Sequence, residues 1–216
     1  VEELSDPEEE RVLYAIEILE TLDKRNLITP LLLHHESPAI RTRALLALES
    51  ARPTTGERWR PTVERMLNDE DGSVRAAAVH ALASLRREEA SQVMRQYLSD
   101  PEPRVAVMAA AVLADTGSPD DERAAGATLR ALSGDTGAVT DRSRREVAAA
   151  LGQIRNPRLR PLLLPLMTDA DLEVAQTALR SAMPLGANDA MFVPALVMLL
   201  GHRQLKPLAR QVLASG

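Results

Sequence analysis

An apolar residue, often followed by Arg, and then Ala-x-x-Ala-Leu recurs along this chain roughly every thirty residues. No other feature narrows the possible folds as far. Ile40-Arg41-Thr42-Arg43-Ala44-Leu45-Leu46-Ala47-Leu48 is one copy, and Val74-Arg75-Ala76-Ala77-Ala78-Val79-His80-Ala81-Leu82 is a cleaner one. Taking the last Leu as anchor, the equivalents are Leu19, Leu48, Leu82, Leu113, Leu151, Ala182 and Leu213, with steps of 29, 34, 31, 38, 31 and 31 residues. A repeat of this length is one supersecondary unit that cannot bury its apolar face alone, so neighbours stack into a continuous core. The function of such an array lies on its surface rather than in one pocket.

The position four residues before the anchor is small: Ala15, Ala44, Ala78, Ala109, Val147, Ala178 and Ala209. A small side chain there lets two helices approach closely, so Ala78, Ala109 and Ala178 are expected at buried helix crossings. Eight before the anchor stand Ile40, Val74, Val105, Val174 and Leu205, while Arg11 and Ser143 mark degenerate copies. Helix-start residues precede most copies, as in Asp6-Pro7-Glu8-Glu9, Ser37-Pro38, Asp69-Glu70-Asp71-Gly72, Asp100-Pro101-Glu102-Pro103 and Asp169-Ala170-Asp171. Asp and Ser accept hydrogen bonds from the unpaired N–H groups of a first helical turn, and Pro costs nothing there. Before each turn comes another apolar stretch, often with a Pro: Pro30, Pro61, Pro161, Pro165 or Pro194. The unit is therefore helix A, a short turn and helix B, with Pro shortening or kinking helix A. Two connections, Glu49 to Glu57 and Ser133 to Ser143, read as long loops. No stretch alternates like a strand.

Composition fits this reading. Hydrophobic residues make up 45% of the 216, yet only 2% are aromatic, so Leu, Ala and Val must build the core. Such a core suits stacked helices better than a sandwich or a closed catalytic barrel. There is no Cys, which excludes disulfides, zinc–thiolate sites and thiol nucleophiles. No apolar run reaches the roughly 20 residues of a membrane span. Lys24 and Lys206 are the lysines, and the other basic residues are Arg. With the Ala and Pro content, this usage suggests a high-GC bacterial genome. The chain begins at Val1 with a B-type helix lacking a helix A before it, which reads as a segment cut from a longer protein or as an end capped by a preceding segment.

The Asp-rich turn, the Val-Arg pair, Ala-x-x-Ala-Leu and the Pro-bearing first helix together resemble the HEAT repeat, in the compact bacterial form also seen in phycobilisome-lyase-like proteins. The resemblance covers essentially the whole chain. It implies an all-α, HEAT-type α–α solenoid, a right-handed superhelix of about six and a half helix pairs in a single domain, residues 1–216. It also implies a ladder in which an Arg seven before the anchor contacts Asp of a neighbouring repeat. Arg41, Arg75 and Arg144 match that position, whereas Val12, Ala106, Ala175 and Lys206 do not, so the ladder is expected to be interrupted. Arg41 and Arg75 are expected to reach Asp69, Asp71 or Asp100. A looser likeness covers about the first fifty residues, Asp6-Pro7 through Glu20 and Leu32 through Arg41. It is to the HEAT segment of bacterial fusions with an ATP:ADP-antiporter-like membrane domain. That likeness implies the soluble cytoplasmic part of an inner-membrane protein.

Candidate chemistry is sparse. His34-His35-Glu36 is the most site-like triplet, since a HEAT-repeat di-iron hydroxylase uses several His-Glu pairs as ligands. Here a single pair exists, because Ala81 follows His80 and Arg203 follows His202. One pair does not complete a metal shell, and these residues read instead as an A–B turn in which Glu36 and Ser37 help cap the next helix. The paired carboxylates Asp69 and Asp71, and Asp169 and Asp171, sit at helix starts and read as caps rather than acid–base groups. No Ser–His–Asp spacing, GxGxxG or P-loop is present. Arg58-Arg60-Arg65, Arg86-Arg87, Arg142-Arg144-Arg145 and Arg155-Arg158-Arg160 are the basic clusters. A net charge of −5 and scattered aromatics (Tyr14, Trp59, Tyr97, Phe192) argue against a phosphate track or a base-stacking platform.

These readings lead to a binding scaffold with no enzyme activity, cofactor or metal, and no nucleic-acid partner. Its ligand is a protein or peptide segment, including a neighbouring domain of the same chain. The candidate surface is the face lined by the B helices: Thr42, Leu46, Ala76, His80, Val107, Ala111, Arg145, Gln176 and Arg180. Its middle, around Ala76, Val107 and Ala111, reads as a groove of small apolar groups suited to an apolar helix or peptide. A lyase-like role on a chromophore protein and nucleic-acid binding are the competing classes.

Overall fold

Every copy of the repeat motif forms an α-helix, and from the second copy on the stretch before it forms a further helical element, α or 3₁₀. The computed structural model describes residues 4, 8–24, 27–48, 53–85, 87–116, 118–134, 139–185 and 190–215. Among the described residues there are twelve α-helices and no strand. The chain divides into two units, Val1–Tyr97 and Leu98–Gly216.

In the first unit the order is α1 (Glu9–Thr21), a 3₁₀ turn Pro30–His34, α2 (Pro38–Leu48), α3 (Pro53–Met66), α4 (Gly72–Leu85) and α5 (Arg87–Met94). The motif-bearing helices stack in order, α1 on α2 and α2 on α4. The A-type elements flank them, with Pro30–His34 against α2 and α3, and α3 against α4. In the second unit the order is α6 (Pro103–Ala114), α7 (Pro119–Ser133), α8 (Asp141–Leu151), a 3₁₀ segment Pro157–Leu162, α9 (Leu163–Met167), α10 (Leu172–Ala182), α11 (Val193–Leu199) and α12 (Lys206–Ala214). Here α6, α8, α10 and α12 stack in turn, with α7, α9 and α11 as their A-type partners. Each unit is an all-α stack of helix pairs.

The register read from the motif holds at the level of single side chains. All seven small residues four before the anchor are buried, including Ala78, Ala109 and Ala178. So are Ile40, Val74, Val105, Val174 and Leu205 eight before it. Burying a Leu or Val side chain contributes about 1.5–3 kcal/mol. The alanines contribute mainly by letting adjacent B helices meet without a gap.

Caps of the expected kind start α4, α8 and α10, whereas Glu102, at the start of α6, makes no side-chain cap bond. Asp71 Oδ1 accepts from the N–H of Ser73 at 2.8 Å and of Val74 at 3.1 Å. Asp171 Oδ1 accepts from Val174 N–H at 2.9 Å, and Thr140 Oγ1 from Ser143 N–H at 3.2 Å. The first Asp of each Asp-x-Asp holds the turn itself: Asp69 Oδ1 accepts from Asp71 N–H at 2.9 Å, and Asp169 Oδ1 from Asp171 N–H at 2.8 Å.

Two sequence expectations need correction. The expected loop from Glu49 to Glu57 is helical from Pro53 onward, because Pro53 opens α3 where its missing N–H costs nothing. Residues 49–52 lie outside the described residues, as does the Asp6-Pro7 turn. The connection after α7 runs from Gly134 to Thr140 and is shorter than expected, since α8 begins at Asp141; Asp135 and Gly137 lie outside the described residues. Proline acts on the A elements as expected in two places. Pro30 opens a 3₁₀ turn, and Pro161 lies inside Pro157–Leu162, where tighter winding replaces a regular helix. Pro61 is carried within α3.

Candidate binding surface

The B helices expose one edge at their first turns and one face along their length. At the edge, Arg41 projects from the first turn of α2. Its Nε and Nη2 donate to the two carboxylate oxygens of Asp69, one repeat ahead, at 2.9 and 2.8 Å. Its Nη1 donates to the backbone carbonyls of His35 and Glu36, which closes its own A–B turn. Arg144 repeats the device in the second unit, with Nε on Asp169 Oδ2 at 2.7 Å and Nη2 on Oδ1 at 3.2 Å. Both pairs are largely buried, so solvent screens them little. Arg75 donates to the carbonyls of Asp69 and Glu70. Ala106 and Ala175 occupy the equivalent position in α6 and α10 and are buried, so no guanidinium leaves those helices at that place. The ladder is interrupted where the sequence says it should be.

A second bracket was not read from the sequence. Asp115, at the end of α6, accepts from the backbone N–H groups of Arg155 at 3.0 Å and Asn156 at 3.2 Å. Asn156 in turn donates through Nδ2 to the Ala114 carbonyl at 3.2 Å. The signal for it was an Asp just past one anchor and an Asn just past the next, forty-one residues on. Gly152 is a further omission. A Cβ on Gly152 would stand 2.8 Å from Ser181 Cβ, so at this glycine the end of α8 lies tight against α10.

Along the B helices, the row two residues before the anchor forms the outer ridge. In the first unit it carries Glu17, Leu46 and His80; Glu17 is exposed, Leu46 is 38% exposed and His80 is half-buried. In the second unit it carries Ala111, Ala149, Arg180 and Gln211, with Ala111 half-buried and the others exposed. The row six before the anchor behaves differently. Thr42, Arg145 and Gln176 are half-buried, while Ala76 and Val107 are each only 2% exposed. This corrects the apolar groove. Ala76 and Val107 are core residues, because neighbouring B helices with small side chains close over the flank of the helix that carries them. In α6, Val105, Ala106, Val107, Ala109, Ala110, Leu113 and Ala114 are all buried, which leaves a narrow exposed strip.

Among the described residues, the buried atoms Thr42 Oγ1 and Arg145 Nε make no hydrogen bond. Thr42 lies one turn below Leu46 on α2. The Arg145 guanidinium pairs with Glu173 of α10 through Nη1. Arg43 of α2 pairs likewise with Glu20 of α1. Charges between successive B helices are thus internally matched.

The remaining candidates resolve into local structure. His35 Nδ1 accepts from Ser37 N–H at 3.0 Å, and Ser37 Oγ accepts from Ile40 N–H at 3.4 Å, so the triplet does belong to a turn and helix cap. Among the described residues, no group of three or more His, Cys, Asp or Glu is arranged to hold a metal ion. Several clustered arginines pair with carboxylates: Arg60 with Glu64, Arg158 with Glu122, and Arg142 with Glu102. Arg86 and the side chains of Arg58 and Arg87 lie outside the described residues. Trp59 and Phe192 are buried in the core and Tyr97 nearly so, which removes them from any stacking platform. No described helix is long and apolar enough to cross a membrane.

Residues 59–142 match the family model described as HEAT repeats. No curated protein sequence matches the chain. Among solved structures, an engineered protein is similar over 89% of this chain and 96% of its own, at 20% identity and a TM-score of 0.47. Human deoxyhypusine hydroxylase in complex with glycerol is similar over 99% of this chain and 93% of its own, at 18% identity and a TM-score of 0.44. A designed armadillo repeat protein in complex with the peptide (KR)4 is similar over 99% and 96%, at 17% identity and a TM-score of 0.38.

Proposed function

We propose that this chain, of which residues 59–142 match the HEAT-repeat model, is a non-catalytic protein-binding scaffold that takes its ligand on the ridge of B-helix residues within a unit. In the first unit that ridge is Leu46 and His80, with Thr42 one turn below. In the second it is Ala111 and Arg180, flanked by Arg145 and Gln176. The observation that carries the reading is Leu46. A Leu exposed to 38% sits between buried Leu45 and Ala47. A peptide laid across this point gains an apolar contact. The partner is a protein segment, and a neighbouring domain of the parent protein, including a transporter membrane domain, is the first to try.

The test is selection of a displayed random-peptide library against the 216-residue chain, followed by affinity measurement with Leu46→Glu. Selected peptides should lose at least about tenfold in affinity, or 1.4 kcal/mol, with the melting temperature unchanged. Peptides that bind Leu46→Glu as tightly as the parent would refute this surface. Salt-sensitive binding of duplex DNA near physiological ionic strength would favour the nucleic-acid class instead.

A further inference from the structure

Within the second unit, the A-type elements form a cleft that shares no residue with the B-helix ridge. α7 packs there against the 3₁₀ segment Pro157–Leu162. Pro119, Glu122, Arg123, Arg130, Arg158 and Leu159 line an open space of about 310 Å³ between them. Three of the six are arginines, and the spacing brings two of them together. Arg123 and Arg130 stand seven apart on α7, which places them on one side of the helix, two turns from each other. Between them lies Gly126, three after one and four before the other. Long side chains on a helix lean toward its N-terminus, and Arg130 does so. Its Nη1 and Nη2 each lie 3.5 Å from the place a Cβ on Gly126 would take. The glycine lets this guanidinium lie back along the helix toward Arg123. Arg158 enters from the 3₁₀ segment.

The charges of the three arginines are poorly matched. The Arg130 side chain makes no ion pair or hydrogen bond among the described residues. Arg123 meets Asp120 at 3.0 Å, but both side chains are largely exposed, so the pair is weak. Arg158 offers Glu122 a single nitrogen, Nη1, at 3.3 Å from each carboxylate oxygen. That is long for a charge-assisted bond, which measures about 2.7–2.9 Å. Arg41, by contrast, holds both oxygens of Asp69 through two nitrogens at 2.9 and 2.8 Å.

We propose that this cleft binds one phosphate monoester dianion, carried on a phosphorylated side chain of a protein segment. Such a group brings about −1.5 to −2 charge and three strong acceptor oxygens, against three guanidiniums whose planar donors suit phosphate. A carboxylate has two oxygens and one charge, and Glu122 already supplies one. Asp120 and Glu122 on the same rim repel a longer row of phosphates, so a single dianion fits better than a nucleic-acid backbone. That a protein segment presents the group rests on the scaffold reading above; the anion chemistry does not.

The experiment titrates the 216-residue chain with inorganic phosphate at constant ionic strength, followed through the arginine Nε–H resonances, with acetate as a second probe. Phosphate should bind saturably and shift Arg123, Arg130 and Arg158, and acetate should bind more weakly. Arg130→Gln and Arg158→Gln should each weaken phosphate binding about tenfold, because a bond to a charged group is lost. Both side chains are exposed, so the circular dichroism spectrum should be unchanged. Arg203→Gln, which removes the same charge in the turn before α12, should leave binding as it was. Glu122→Gln should tighten binding, because it frees Arg158 and removes a like charge, a gain that a purely structural role for these arginines does not produce. In a second arm, matched random libraries of phosphoserine and serine peptides are selected against the chain. Phosphoserine peptides should be enriched, bind more tightly than inorganic phosphate and lose affinity with Arg130→Gln. Absence of saturable phosphate binding, or binding that both glutamine variants leave intact, overturns the site. Acetate bound as tightly as phosphate overturns the dianion. Phosphate bound without any phosphoserine peptide binding more tightly overturns the protein segment as its bearer, and duplex DNA that displaces phosphate does the same in favour of nucleic acid.

Discussion

Gly152→Ala tests whether the repeat interfaces are as tightly closed as the backbone places them. Gly152 follows the last residue of α8 with φ −69° and ψ −20°, a conformation any residue adopts. Judged by backbone alone, alanine there should stabilise the protein by about 0.4–1 kcal/mol, through the lower entropy of the unfolded chain. The neighbour reverses the sign. An added Cβ would stand 2.8 Å from Ser181 Cβ, 2.9 Å from its Cα and 2.9 Å from its Oγ. Carbon atoms in contact sit about 3.5–4.0 Å apart, so α8 and α10 would have to part locally. The pair is held shut by buried Val147, Ala150 and Ala178 and by the Arg144–Asp169 bridge. Overpacking of this kind costs about 1–3 kcal/mol, so the net loss should be about 1–2 kcal/mol. For a chain of this size each kcal/mol lowers the melting temperature by about 2–4 °C. Gly126→Ala is the matched control. Its Cβ meets the tip of Leu159 at 3.2 Å and the Arg130 guanidinium at 3.5 Å, both ends of flexible side chains, and it lies within α7, where Gly costs about 1 kcal/mol relative to Ala. That variant should be neutral or slightly more stable. Adding Ser181→Gly to Gly152→Ala removes two of the three close atoms and should recover at least half of the loss. A Gly152→Ala protein with a melting temperature equal to or above the parent would refute the reasoning.

Three further outcomes are expected. Arg144→Ala should cost about 1–3 kcal/mol in urea unfolding, because bonds to a charged group in a largely buried bridge are lost. Arg123→Ala, which removes an exposed pair with Asp120, should change stability by no more than about 0.5 kcal/mol; equal losses in the two would deny the ladder its role. Val107→Asp should destabilise by about 3–5 kcal/mol, as an uncompensated charge in the core, and a folded, unchanged variant would restore Val107 to the surface. Asp171→Ala removes the cap on Val174 N–H and should cost about 1 kcal/mol, read as a shift of the urea midpoint at constant slope.

The fold was legible because its signal is periodic and its grammar local. Seven anchors and seven small residues fix where B helices cross, and Asp71 and Asp171 start helices through contacts within three residues. The ladder was legible as far as its arginines, since Arg41 and Arg144 find Asp69 and Asp169 one repeat away. The surface was less legible, because exposure depends on what a neighbouring helix does. Ala76 and Val107 share a column with Thr42, Arg145 and Gln176. Ala76 and Val107 are covered, whereas Arg145 and Gln176, with longer polar side chains, and Thr42 stay half-buried. Gly152 and the Asp115–Asn156 bracket depend on the meeting of segments far apart in the chain, and neither residue is unusual in its own neighbourhood. Tyr14 and Ile18 escaped for a related reason: they sit in a pattern that promises burial, and the structure leaves them 61% and 39% exposed.

The ridge two residues before each anchor has a consequence for how such a protein changes over time. Its members in the first unit are Glu17, Leu46 and His80, and in the second Ala111, Ala149, Arg180 and Gln211: acid, aliphatic, imidazole, methyl, methyl, guanidinium and amide. The columns that hold the fold together vary far less, being Ala or Val four before the anchor. Mutation can therefore rewrite the ridge one repeat at a time at little cost in stability, since exposed substitutions there shift it by no more than about 0.5 kcal/mol. Each helix pair acts as a separately editable letter, and a new ligand can be acquired by spelling rather than by refolding.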